Sequence, residues 1–414
     1  MELHARFLIQ DENTVLENCI ISIQNGIIKE ITPSKECKGN NIVMPGFVNA
    51  HTHAAMYSLR GYSDNLHLQD WLQNVWKIEE KLTEELVEIS TRFAVLEMQR
   101  FGTLGFVDQY FHEIESAKVC EEEKMYCALG TPFVDDPNFD KRVRRFDKFL
   151  EFVKDFRFIR PIFNVHAIYT TENSFSELVK LRFQKYRDLW LNIHAAETRK
   201  EVYDCYNKHG KYVLEYLDSF SLLENSILAH CGWITKSEIN LLKGKNSIVV
   251  HNPTSNMKLA TGAHFPYVEF INAAITVALG TDGPASNNSF NMFTEMKVMS
   301  LLNKHNYWDS KCCLPGDTLK CAFAGWKIFG KDYRLVVGND ATFIVLDASN
   351  ITLQPLRKDN IFSNIVYSFD GKIKESYVKG EIVFDDEIYR RKFENLMNEV
   401  YKINSLYSNS PSSE

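Results

Sequence analysis

Eight apolar, β-rich runs recur between residues 42 and 286, each ending at or near a polar side chain, and they limit the fold more than any other feature of the chain. They cover residues 42–49, 105–108, 126–131, 161–166, 189–194, 226–230, 247–251 and 274–282. Most are separated by helical patterns such as residues 82–100 and 174–186. Strands alternating with helices argue for a parallel sheet, and eight such units argue for a (β/α)8 TIM-like barrel, an α/β fold that places its chemistry at the C-terminal ends of the strands. Those ends carry Asn49, Asp108, Thr131, His166, His194, His230, His251 and Asp282.

The flanks have a different texture. Short alternating runs before residue 44 return in Ala341-Thr342-Phe343-Ile344-Val345-Leu346 and in Tyr377 to Phe384. They predict a small β-sandwich domain built from both termini, residues 1–44 and 338–385, around a barrel of residues 45–337. Residues 386–414 are expected to form a C-terminal helix and a polar tail, disordered from Ser405 to Glu414.

The first run ends in Asn49-Ala50-His51-Thr52-His53. Residues two apart on a strand share a face, so both imidazoles converge on one point. His194 and Asp282 end later runs and add a nitrogen and an oxygen donor, a set that suits a catalytic metal with a position left open for water. Zinc is the expectation, although iron or manganese accepts the same donors. Glu197, three residues after His194, is placed to carry a proton from water to a substrate nitrogen. Asp282 can take a proton from the same water, and His230 can hydrogen-bond that water or the developing tetrahedral centre. His251 precedes Asn252-Pro253 and reads as an outer residue or part of a turn.

A net charge of -7 gives no broad attraction to nucleic acid or to an anionic membrane, so the expected partner is a small molecule. Nine cysteines without CxxC spacing, no apolar stretch of about 18 residues and no basic-then-apolar start point to a reduced, cytoplasmic protein.

Met44 to His53, Leu59-Arg60-Gly61, Ile78-Glu79, His194-Ala195-Ala196-Glu197-Thr198, Ala229-His230-Cys231, His251 to Leu259 and Gly280 to Asn288 together resemble the amidohydrolase superfamily, and within it the 5'-methylthioadenosine/S-adenosylhomocysteine deaminase branch. The resemblance covers residues 15 to 385. It implies one metal held by His51, His53, His194 and Asp282, with Glu197 as proton shuttle and His230 orienting the hydroxide. It also implies that Glu79 binds ribose hydroxyls and that His166 contacts the nucleoside. Relatives with two metals carry a bridging lysine after the fourth strand, where this chain has Val165-His166-Ala167.

One departure bears on the substrate. Relatives that accept S-adenosylhomocysteine can place an arginine at the end of the third strand, where this chain has Thr131. Lys141-Arg142-Val143-Arg144-Arg145 reads as an exposed helix face, although Arg144 or Arg145 could supply a second such group. Methylthioadenosine, 5'-deoxyadenosine and adenosine gain weight accordingly. The expected activity is metal-dependent hydrolytic deamination of such a nucleoside to its inosine counterpart and ammonia. Alternatives are a deaminase or chlorohydrolase of another heterocycle, such as guanine or a triazine, and a catalytically silent metal-dependent binding protein. Assembly into a homo-oligomer is compatible with the family by analogy.

Overall fold

The computed structural model describes residues 1–35, 39–66 and 68–407 of the 414. The period-two pattern at the N-terminus folds into β1 (Glu2–Ile9), β2 (Val15–Gln24) and β3 (Ile27–Pro33), followed by β4 (Asn41–Pro45). The barrel strands come next: β5 (Phe47–Thr52), β6 (Thr103–Asp108), β7 (Tyr126–Leu129), β8 (Ile159–Asn164), β9 (Trp190–Ala195), β10 (Ser226–His230), β11 (Ile248–His251) and β12 (Thr276–Leu279). The chain then returns to the first sheet with β13 (Phe343–Asp347), β14 (Glu375–Val378) and β15 (Glu381–Phe384).

The terminal strands form one mixed sheet in the order β15-β14-β13-β4-β1-β2-β3. Its two ends curl together. Ala341 N donates to Gly26 O at 2.8 Å and Gly338 N to Ile28 O at 2.9 Å, enclosing Leu8, Ile21, Ile28, Phe343 and Val345. Apolar residues on the inner faces of both halves therefore share one core, as in a sandwich.

Strands β5 to β12 are parallel neighbours in sequence order. Helices cover them on one side and the barrel interior on the other, which explains why β5, β6 and β9 are buried at every position. Among the described residues no ladder joins β12 to β5, but Asp282 N donates to His51 O at 2.9 Å and Thr281 N to Asn49 Oδ1 at 2.9 Å across the gap. The first run of the sequence, residues 42–49, turns out to serve both sheets. Its first half is β4 and its second half opens β5, with the change of direction at Gly46, where any side chain would collide with Leu104. Apolar periodicity does not register such a break, because both halves are buried.

The helices relevant to the site are α1 (Leu68–Glu79), α2 (Glu84–Arg100), α3 (Glu113–Glu122), α4 (Phe139–Phe152), α5 (Phe175–Gln184) and α6 (Arg199–His209). The C-terminal segment differs from expectation. It forms two helices, Asp386–Met397 and Val400–Ser405, and Leu406 is buried while the Tyr407 hydroxyl donates to Ser58 O at 2.5 Å. The expected disorder thus does not begin at Ser405, because apolar Leu406 and Tyr407 find a surface near the barrel mouth; residues 408–414 lie outside the described residues. Among the described residues no helix is long and apolar enough to cross a membrane.

Candidate active site

Just below the strand ends lies a layer of buried amides. Asn192 Nδ2 donates to Asn164 Oδ1 at 2.9 Å, Asn164 Nδ2 reaches Gly130 O at 2.8 Å and Asp108 O at 3.0 Å, and Asn49 Nδ2 reaches Thr281 Oγ1 at 2.7 Å. Polar side chains this deep persist where they are hydrogen-bonded, and here they fix the strand ends relative to one another.

Above this layer His51, His53 and His194 bring three ring nitrogens within 4.8 Å of one another. Two of the three rings are oriented from behind. His53 Nδ1 donates to Gln109 O at 2.7 Å and His194 Nδ1 to His166 O at 2.8 Å, leaving both Nε2 atoms facing inward, 3.3 Å apart. His51 is fully buried, and neither of its ring nitrogens has a hydrogen-bond partner among the described residues. Asp282 completes the cluster, its Oδ1 lying 3.3 Å from His53 Nε2 and 3.6 Å from His51 Nε2. The backbone at Asp282 is left-handed, with φ 63°, and the carboxylate is held by Gly283 N at 2.8 Å and by the hydroxyls of Ser255 at 2.6 Å and Ser286 at 3.1 Å. Converging nitrogen lone pairs, an orphaned buried imidazole and an anchored carboxylate fit a divalent metal of the zinc type.

Burial holds His51 and His194 well below the ordinary imidazole range, so both are neutral donors. Burial opposes protonation of His53, but the hydrogen bond and charge of Asp282 outweigh it and raise its pKa to about 9, so a metal ion would have to displace that proton. Burial opposes ionisation of Asp282 as well, but the hydrogen bond and charge of His53 outweigh it and keep the carboxyl well below its usual range.

Glu197 and His230 face this cluster. Glu197 is buried, which raises its pKa, and its Oε2 lies 3.9 Å from His230 Nε2. His230 has a left-handed φ of 74°, and its Nδ1 donates to Asn256 Oδ1 at 2.9 Å, so Nε2 is left as an acceptor towards Glu197. All of these groups except His51 line one cavity of about 1150 Å³ at the barrel mouth. Glu79, at the end of α1, lines the same cavity beside Tyr110; burial raises its pKa, and its Oε1 has no hydrogen-bond partner among the described residues. His166 lines the wall too, its Nδ1 2.9 Å from Thr170 Oγ1 and its pKa lowered by burial to about 3. His251 is separate from the cavity lining, buried and stacked on Phe265 with ring centroids 4.0 Å apart.

Three features escape a reading of motifs. The basic segment of α4 is more than an exposed helix face: Arg142 donates to Pro132 O at 2.9 Å and Asp136 Oδ2 at 2.7 Å, and Arg145 Nε donates to both oxygens of Glu113, at 2.9 and 3.2 Å, while both arginines line the cavity. Thr131 Oγ1 donates to the same buried Glu113 at 2.6 Å. Behind Asp282, buried Glu295 accepts from Asn287 Nδ2 at 2.9 Å and Thr254 N at 3.2 Å, and Asn287 Nδ2 also reaches Thr281 O at 2.7 Å. Burial pushes the Glu295 carboxyl up to about 7. Glu201, on α6, accepts from the backbone next to Glu197. The Thr198-Arg199-Lys200-Glu201 spacing, a capping-box pattern directly after the His194 motif, is the signal that points to it.

The sequence profile of the amidohydrolase family matches residues 42–383, which span the barrel and, of the terminal sheet, β4 and β13 to β15 but not β1 to β3. The chain belongs to the amidohydrolase family. Among its relatives are a 5'-deoxyadenosine deaminase of Methanoregula boonei, 38% identical over 84% of this chain and 80% of that protein, and a 5-methylthioadenosine/S-adenosylhomocysteine deaminase of Thermococcus sibiricus, 35% identical over 91% and 90%. The crystal structure of an adenosine deaminase from Xanthomonas campestris with bound zinc superposes on this amidohydrolase with a TM-score of 0.89 at 28% identity, covering 98% of each chain.

Proposed function

We propose that this amidohydrolase removes the exocyclic amine of an adenosine-type nucleoside by hydrolysis, releasing ammonia and the inosine counterpart. The observation that carries this reading is a buried carboxyl, Glu197, set 3.9 Å from His230 and facing the histidine and aspartate cluster across one cavity. His51, His53, His194 and Asp282 would hold one divalent metal, with zinc favoured by the nitrogen-rich donor set, and His166 where a bridging lysine would stand supports a single ion. When bound, the metal supplies a Lewis acid that lowers the pKa of water towards neutrality.

The protein groups divide the proton traffic. Glu197, whose burial favours its protonated form, gives a proton to the purine ring nitrogen next to the amine-bearing carbon. The attacking water yields one proton to Asp282, which passes it to the departing amine as the carbon–nitrogen bond breaks, and the remaining hydroxyl proton returns to Glu197 as the carbonyl forms. His230 accepts a hydrogen bond from that water at Nε2 and fixes its direction of approach. Glu79 grips the ribose hydroxyls, and His166, which lines the same cavity, meets the nucleoside.

A cavity of about 1150 Å³ leaves room beyond a nucleoside for a 5' substituent. Thr131 and Arg145, however, are both engaged by buried Glu113, so neither is free to receive an amino-acid carboxylate. A small uncharged 5' group, as in methylthioadenosine or 5'-deoxyadenosine, is the substrate we favour. The test is ammonia release from zinc-reconstituted protein with methylthioadenosine, S-adenosylhomocysteine, 5'-deoxyadenosine, adenosine and guanine. Selective turnover of the uncharged adenosine derivatives is expected; activity on guanine alone, or on none, would overturn the reading.

A further inference from the structure

We infer that Glu201 is a positioning residue for Glu197, fixing the direction from which that carboxyl meets the substrate; this rests on the proposed role of Glu197. The buried Glu201 carboxylate spans two consecutive backbone donors, with Oε1 accepting from Ala196 N at 2.9 Å and Oε2 from Glu197 N at 2.8 Å. Its own N–H donates to Thr198 Oγ1 at 3.1 Å, so the first turn of α6 is clamped to the turn that leaves β9.

That turn needs clamping. Ala196 has a left-handed φ of 51°, a conformation that costs an alanine roughly 1 kcal/mol and persists only where its surroundings enforce it. Glu201 secures its N–H, and Trp233 N secures its carbonyl at 2.9 Å. Cys231 N donates to Ala195 O at 2.8 Å, which ties the turn carrying Glu197 to the turn carrying His230. Glu197 and His230 are thus mounted on one rigid pair of loops, with Glu201 as the anchor on the Glu197 side.

The glutamine and aspartate variants probe this arrangement. Glu201→Gln keeps the shape but offers only one oxygen to two N–H groups, and Glu201→Asp keeps the charge but shortens the reach by a methylene. Each is expected to lower kcat by about 10- to 100-fold, as misplacement of a catalytic group by a fraction of an ångström to one ångström does, with KM changed by less than about threefold and metal content unchanged. If Glu201 acts only through Glu197, Glu197→Gln/Glu201→Gln will be no slower than Glu197→Gln alone, whereas a general structural role gives losses that multiply. Hydrogen exchange at the Ala196 and Glu197 amides reads the same contacts without any turnover, and protection should fall in Glu201→Ala by about tenfold or more. Wild-type kcat in Glu201→Gln, multiplying losses in the double variant, or unchanged amide protection would each overturn the inference. A wild-type enzyme silent towards every nucleoside would refute the proposed function instead, and the exchange measurement would still decide whether Glu201 sets the turn.

Discussion

Glu295→Gln offers a quantitative check on the buried carboxyl behind Asp282. Glu295 is 1% exposed, and burial raises its pKa from 4.5 to about 7. An acid whose folded pKa lies above its unfolded value binds its proton more tightly when folded, so its contribution to stability is fully present below about pH 4.5 and is lost as pH rises towards 7. The full span is about 3 kcal/mol, of which about 2 kcal/mol falls between pH 5.5 and 8.5. Glutamine does not titrate and removes that slope, and it also costs about 1–3 kcal/mol at every pH, because one of the two N–H groups from Asn287 and Thr254 loses its oxygen acceptor. The deficit of the variant relative to wild type should therefore be about 2 kcal/mol larger at pH 5.5 than at pH 8.5. Scaled to a chain of this length, the gap in Tm should narrow by about 2–3 °C between these two values. Differential scanning fluorimetry of both proteins across the range gives the number directly, and other buried acids, such as Glu201, cancel in the difference. A Tm gap independent of pH would refute the reasoning.

Three further outcomes follow from the site. Glu79→Ala should raise KM for adenosine derivatives about 10-fold or more with a smaller change in kcat, measured by steady-state kinetics; intact nucleoside turnover would remove the sugar grip and favour a base-only substrate. Asn256→Ala should lower kcat about 10- to 100-fold with metal retained, because His230 Nδ1 loses the acceptor that fixes its tautomer, and metal analysis alongside kinetics separates this from loss of the ion. Stripping with a chelator should abolish activity and lower Tm, with both restored by stoichiometric zinc, since the imidazoles of His51, His53 and His194 would otherwise be buried around no charge.

The barrel was legible because strands enclosed on both sides are mostly apolar, while their C-terminal ends carry His166, His194, His230 and Asp282. What stayed hidden lies in interactions that leave no periodic trace. The break at Gly46 depends on the nearness of Leu104, a contact made across the sheet. The Arg142 and Arg145 contacts depend on Asp136 and Glu113, which lie on other segments, so a basic run on a helix looked solvated until its partners were placed. The capping-box spacing from Thr198 marks Glu201 as a helix-starting acid and no more, because its oxygens serve backbone groups, which every residue possesses. The C-terminal helices end on polar sequence, and only the surface near Ser58 explains why Tyr407 is held.

The gap between β12 and β5 is bridged at the site itself, by the Asp282 N to His51 O hydrogen bond. His51 and Asp282 therefore stand on opposite sides of the barrel's seam, with nearly the whole barrel between them in sequence. A growing polypeptide carries His51 and His53 out of the ribosome early, yet their carboxylate partner arrives only when the last barrel strand has been made. The donor set proposed here would then be complete only late in biogenesis, and a chain that stalls or misfolds partway would present it incomplete. Metal content in a purified sample would thus count finished barrels as well as competent ones.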